Sequence, residues 1–224
     1  MKLYMHPVST TSRPIRLLIA EKSLVVQEQV VDLLAGAQHQ EPFASLNPSH
    51  QVPMLEDDDF RLTESSAILK YLAEKHGLPE YPSALRPRAQ VNASMDWFNA
   101  NFYRDWGYGL CYPQLFPHHK RPSEEAQAVT IRWGLEKSRF WLGVLDRHWL
   151  GGGRPYLTGE QITIADYFGS AIIGVADVVR FDLAPWPNVA AWYARMKELP
   201  HWHEVGSVIS GYAEAVKGQQ FVVA

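Results

Sequence analysis

A change of hydrophobic period near residue 77 constrains the folding of this 224-residue chain more than any other feature. Before it, short strand-like runs alternate with helical patterns; after it, only the helical period remains. Lys2 to His6 is an apolar run closed by Pro7, and Arg13 to Lys22 places Ile15, Leu18 and Ile19 on one helical face. Val25 to Val31 is rich in β-branched residues and ends at Ala35-Gly36. A β-α-β order calls for a parallel strand pair with a right-handed crossover. Val52–Glu56 and Phe60–Thr63 flank three aspartates and read as a hairpin, with Asp57, Asp58 and Asp59 as its solvated turn. Glu64 to His76 then carries Ile68, Leu69 and Leu72 at helical spacing before the stop signal Gly77.

The stretch around Gly77 to Ser83 holds two prolines and a glycine, the composition of a linker. These signals divide the chain into an N-terminal α/β domain over 1–77, a linker over 78–85 and an all-α C-terminal domain over 86–224. In the second part, Arg88 to Leu110 is a long helical pattern interrupted by Gly107 and Gly109. Ser123-Glu124-Glu125 supplies an N-cap followed by first-turn acids, and Gly151-Gly152-Gly153 ends that helix. Thr163-Ile164-Ala165-Asp166 has the spacing of a capping box with Asp in the acidic position.

The formal charge of −3 shows no basic excess, which argues against a nucleic-acid partner. No run approaches the roughly 20 apolar residues of a membrane helix, and Pro7 interrupts any secretory pattern. The single cysteine, Cys111, precludes an internal disulfide and fits a reducing, cytoplasmic setting. No cluster of metal-ligand spacing stands out, and the aspartate turn lacks residues to complete a ligand set.

Three short segments carry potential chemistry. Ser9-Thr10-Thr11-Ser12 lies between the first strand and first helix, where βαβ units usually bind ligands. One helix cap needs one hydroxyl, and Ser12 before Arg13-Pro14 fits it, so this loop has hydroxyls to spare. Pro53 heads a strand, where its missing N–H does no harm. Thr63-Glu64-Ser65-Ser66 opens a helix with Ser65 placed as a cap. Its free N–H groups and dipole suit a carboxylate while the neighbouring acid suits an ammonium. Together these describe a seat for an α-amino acid end.

The strings Phe43-Ala44-Ser45-Leu46-Asn47-Pro48-Ser49-His50-Gln51-Val52-Pro53-Met54-Leu55 and Leu62-Thr63-Glu64-Ser65-Ser66-Ala67-Ile68-Leu69-Lys70-Tyr71-Leu72 closely resemble glutathione transferases. The Leu3 to Ser9 loop with Arg13 is similar to the theta and delta classes, and Thr163–Asp166 matches the family's helical capping box. The resemblance implies a thioredoxin-like N-terminal domain that binds glutathione and an all-α C-terminal domain that receives a small apolar electrophile. It implies that Ser9 donates its hydroxyl hydrogen to the glutathione sulfur, with Thr10 and Ser12 as competing hydroxyls. Val52-Pro53, in a cis bond, would present backbone to the cysteinyl part. Glu64, Ser65 and Ser66 would hold the γ-glutamyl end, and His50 and Gln51 the glycyl end, with Gln38 or His39 nearby. Arg13 or Arg104 could add a cation. The aromatic stretch from Phe102 to Phe116 would furnish the electrophile pocket, with Tyr103, Arg104, Tyr112 and Phe116 as candidates. The resemblance further implies a cytoplasmic homodimer acting in detoxification. A glutathione-dependent dehalogenase or isomerase would use the same site, and a catalytically silent glutathione-binding module is the reading from another class.

Overall fold

The computed structural model describes residues 1–223, which form a small mixed sheet with flanking helices joined to a larger helical unit. Strands β1 (Lys2–Met5), β2 (Gln27–Val30), β3 (Met54–Asp57) and β4 (Phe60–Thr63) lie in the order β2-β1-β3-β4. β1 and β2 are parallel and bridged by helix α1 (Arg13–Glu21); β3 runs antiparallel to both β1 and β4. Alternation along β1 sets the two faces. Leu3 and Met5 join Leu55 and the buried side of α1 and helix α3 (Ser65–Lys75) in the main core. Tyr4 packs with Val31, Phe43, Val52 and Met54 on the opposite face. Phe43 belongs to a four-residue helix, α2 (Phe43–Leu46), absent from the sequence reading because one turn shows no period.

Beyond the linker, α4 (Leu85–Trp97) continues through two widened, π-type stretches, Phe98–Phe102 and Arg104–Cys111, into α5 (Tyr112–Leu115). The helical path therefore passes Gly107 and Gly109 without a break. The main purpose of Gly109 is contact with helix α6 (Glu124–Val144): a Cβ on Gly134 would lie 2.4 Å from the Gly109 carbonyl carbon. Only glycines let two backbones approach so closely. α6 begins where expected, with Ser123 Oγ accepting from the Ala126 N–H. The chain then forms α7 (Ile164–Ile173), α8 (Val175–Val179), α9 (Pro187–Lys197), α10 (Trp202–Val205) and α11 (Ser207–Ala215).

α7 is buried along its whole length, and its first turn is fixed by Asp166. Asp166 Oδ2 accepts from the Thr163 N–H (2.8 Å) and Thr163 Oγ1 (2.9 Å). Its Oδ1 accepts from the Leu157 N–H and from Trp192 Nε1, both at 2.9 Å. One carboxylate thus ties a cap, a loop and α9 together. The two units share the main core and exchange polar contacts. Glu21 of α1 accepts from the His201 N–H, and the connecting segment is held as well, the Glu80 carbonyl accepting from the Ile164 N–H. Among the described residues, no helix is long and apolar enough to cross a membrane.

Candidate active site

A cavity of about 430 Å³ opens where the sheet unit meets the α4–α5 run. One wall is the loop after β1. Ser9, Thr10 and Thr11 line it, whereas Ser12 is fully buried behind them, its hydroxyl without a partner among the described residues. The expected cap at Ser12 is made instead by Ser9. Its Oγ accepts from the Ser12 N–H (3.2 Å), and its carbonyl accepts from the Arg13 N–H (3.1 Å). The turn before α1 begins three residues earlier than the sequence suggests, and the cap residue faces the cavity.

The other hydroxyls have different partners. Thr10 Oγ1 accepts from Tyr112 Oη at 2.8 Å, and Tyr112 Oη lies 2.7 Å from Tyr103 Oη. Burial pushes the Tyr112 and Tyr103 hydroxyls well above their ordinary range, so both stay protonated. Thr11 Oγ1 donates to the Val52 carbonyl (3.2 Å) and lies 3.2 Å from Ser9 Oγ. With Thr11 donating onward, the Ser9–Thr11 contact has Ser9 as its donor, so the Ser9 oxygen accepts from the Ser12 N–H while its hydrogen rests on Thr11 Oγ1.

The opposite wall comes from the turn before β3 and the start of α3. The Val52-Pro53 bond is cis, and both residues line the cavity. Asn47 sets the preceding loop by donating to the Gln51 carbonyl (2.7 Å) and accepting from the Ser49 N–H (3.1 Å). His50 and Gln51 reach the wall from that loop. Glu64 occupies the position before α3 at φ 66°, a conformation that side chains seldom adopt. Ser65 is therefore not the cap; it is the first helical residue, buried beside the cavity. The free N–H groups of the α3 first turn lie at this edge.

Gln38 lines the cavity, with its Oε1 buried and without a partner among the described residues. His39 stands behind it, Nδ1 to Nδ1 at 3.2 Å from His50, so it touches a wall residue without lining the cavity. Ser66 likewise lies off the wall, its Oγ accepting from Asn99 Nδ2 at 3.3 Å.

The aromatic wall combines Tyr103, Tyr108, Tyr112 and Phe116 with His118 and His119. Neighbouring ring centroids lie 5.2–5.4 Å apart from Tyr108 to Tyr112 and from Tyr112 to Phe116. Burial lowers the His119 pKa, with His118 and Arg121 adding to the effect, so its imidazole is neutral at pH 7. Arg104 does not join this wall. It pairs with Asp105 at 3.0 Å and is more than half exposed on the far side of the helix. Arg13 also faces elsewhere, its Nη2 donating to the Ala171 carbonyl. Cys111 is buried, and burial pushes its thiol far above its usual range, which removes it as a nucleophile.

Leu33, Leu34, Asn99, His118 and His119 also line the wall and were outside the sequence reading. Asn99, His118 and His119 reach the cavity through packing of distant segments, which no local pattern encodes.

Fold and cleft together define a two-domain transferase of the glutathione-using kind. Family models agree along the chain: "Glutathione S-transferase, N-terminal domain" matches residues 1–74, and "Glutathione S-transferase, C-terminal domain" matches residues 135–200. The chain belongs to the glutathione S-transferase family, an enzyme family whose reaction is glutathione conjugation. It is 30% identical to human glutathione S-transferase theta-2B over 200 residues, covering 88% of this chain and 80% of the relative. Among solved structures it resembles a human theta-class transferase in complex with the glutathione conjugate of 1-menaphthyl sulfate. The TM-score there is 0.83 and the identity 28%, over 98% of this chain and 92% of that one. A delta-class transferase of Nilaparvata lugens gives a TM-score of 0.78 at 29% identity, over 97% and 98% of the two chains.

Proposed function

We propose that this chain is a serine-type transferase in which the Ser9 hydroxyl holds glutathione as its thiolate for attack on an apolar, aromatic electrophile. The observation that carries this is the division of labour in the β1–α1 loop. Thr10 accepts from Tyr112, Thr11 donates to the Val52 carbonyl and Ser12 is sealed off, while Ser9 faces the cavity with a hydrogen that rests on Thr11 and can turn to a guest sulfur. A thiol near pKa 8.5 is mostly protonated at neutral pH. A hydrogen bond to a charged acceptor contributes about 1.5–3 kcal/mol. At about 1.36 kcal/mol per unit this lowers the thiol pKa by one to two units.

In this reading Glu64 and the first turn of α3 at Ser65 take the ammonium and carboxylate of the γ-glutamyl end. The Val52 backbone pairs with the cysteinyl unit, and His50, Gln51 and Gln38 meet the glycyl end. The orphaned Gln38 Oε1 is an acceptor awaiting an N–H, which favours Gln38 over His39 for direct contact. The electrophile lies against Tyr103, Tyr108, Tyr112 and Phe116. The enzyme works as a homodimer in the cytoplasm.

Titration of bound glutathione by the ultraviolet absorbance of its thiolate tests the central claim. The wild type should show a thiol pKa one to two units below that of free glutathione, and Ser9→Ala should return it towards the free value. A shift that survives Ser9→Ala but disappears in Thr11→Val would transfer the role to Thr11.

A further inference from the structure

The loop that holds Ser9 keeps a second hydroxyl hydrogen in reserve. Thr10 Oγ1 accepts from Tyr112 Oη at 2.8 Å, and no acceptor for its own hydrogen lies among the described residues. Thr10 is 7% exposed and borders the glutathione cavity immediately next to Ser9. A buried donor left without an acceptor destabilises the fold, so this hydroxyl calls for a partner that the cavity can admit.

The bonds behind Thr10 run in one direction. A phenol has one hydrogen to give, and Tyr112 gives its own to Thr10. The 2.7 Å contact between the Tyr112 and Tyr103 hydroxyls therefore has Tyr103 as its donor. Burial keeps both phenols protonated, so the chain holds its full set of hydrogens at neutral pH. Three hydroxyls thus stand head to tail, Tyr103 to Tyr112 to Thr10, and all three residues line the cavity. Bonds arranged this way polarise one another, which makes the last hydroxyl a stronger donor than an isolated one. Ser9 has no such support: its oxygen accepts from the Ser12 N–H and its hydrogen rests on Thr11. A contact that merely tied the helical unit to the β1–α1 loop would need neither Tyr103 behind it nor an unused hydrogen in front.

We propose that Thr10 is a second catalytic hydroxyl, which gives the glutathione sulfur a hydrogen bond beside that of Ser9, with Tyr112 and Tyr103 as the positioning residues behind it. The proposal rests on the reading of this cavity as the glutathione site. A thiolate accepts hydrogen bonds more strongly than a thiol, so each added donor favours the anion. No proton leaves the chain in this role: the three hydroxyls keep their hydrogens, and the proton of the thiol passes to solvent. The acidity of the sulfur is thereby set from both units, by Ser9 on the sheet side and by the phenols of the α4–α5 run.

The test is titration of bound glutathione by its thiolate absorbance on full-length protein, with binding of S-hexylglutathione, which has no thiol, measured first on each variant. Thr10→Val, which keeps the shape and removes the hydroxyl, should raise the bound thiol pKa by about half a unit or more. Thr10→Ser, which keeps the hydroxyl, should hold the wild-type value. Tyr112→Phe should raise the pKa by about 0.3 unit while Thr10 is present, and by nothing further in the Thr10→Val background. That dependence separates positioning through Thr10 from a loss of packing, which would act in both backgrounds. Thr10→Val combined with Tyr112→Phe strands no Tyr112 hydroxyl, and it decides the matter if Thr10→Val alone does not fold. An unchanged pKa without the Thr10 hydroxyl, or a Tyr112→Phe effect that persists in Thr10→Val, would overturn the proposal and leave the Ser9 reading standing. A wild type that binds no S-hexylglutathione, or whose bound thiol keeps the pKa of free glutathione, would overturn both.

Discussion

Ser9 uses the two ends of one hydroxyl for different purposes, and substitutions can separate them. Its oxygen caps the turn before α1, while its hydrogen is the proposed partner of the sulfur. Replacing a cap by alanine costs about 1 kcal/mol, whereas glycine costs only a few tenths. Ser9→Gly should therefore lose the thiol shift at almost unchanged urea stability, while Ser9→Ala should lose both. If the two variants are equally destabilised, the capping role is incorrect. His6 gives the same loop a pH dependence. Its Nδ1 accepts from the Val8 N–H, and burial lowers its pKa below 6.5, with Asp32 opposing the effect. The unfolded chain then takes up the proton first, so this contribution to stability is present above pH 6.5 and is lost on acidification below it. Melting temperatures measured from pH 5 to 8 should fall on the acid side. His6→Asn, which keeps an acceptor without a titrating ring, should flatten that slope.

Between α4 and α5, the aromatic wall depends on the pitch of the helix. Tyr103 and Tyr108 are five residues apart yet share the cavity, with ring centroids at 5.3 Å, because the intervening turns are widened. An ordinary 3.6-residue period does not place them so; Tyr108 belongs to the aromatic stretch named from the sequence without being singled out as a wall candidate, and the candidate Arg104 pairs with Asp105 away from the wall. The same run rests on α6 through Gly109 and Gly134. Gly134→Ala must push the backbones apart and should cost about 1–3 kcal/mol by urea denaturation. An unchanged midpoint would mean that the contact is looser than described. Asp166 is the other hinge of this unit; Asp166→Ala strands four donors and should lower stability by about 3–5 kcal/mol. What was legible in sequence follows a pattern. The Val52-Pro53 turn and the Thr163–Asp166 box are contiguous strings whose local chemistry implies their geometry, whereas the caps expected at Ser12 and Ser65 each fall on an earlier residue, because the loop path before a helix is set by what it packs against. Asn99, His118, His119 and the Thr10–Tyr112 bond depend on which distant segments meet, and no local period encodes that.

For the molecule as a whole, α6 leaves Val129, Trp133 and Phe140 more than half exposed at helical spacing. Such a stripe suits the homodimer proposed above. Light scattering after size exclusion should give twice the chain mass at micromolar concentration, and Trp133→Glu with Phe140→Glu should halve it. A wild-type monomer would refute the assembly. Finally, the bond from Tyr112 to Thr10 spans 102 residues of sequence and joins the two lobes beside the reacting sulfur's proposed seat. A chimaera that borrows its helical lobe from a relative lacking that phenol would inherit a slack nucleophile loop along with a new acceptor preference. Selectivity and reactivity in this enzyme are therefore yoked: whoever reshapes the acceptor side must also retune the sulfur side.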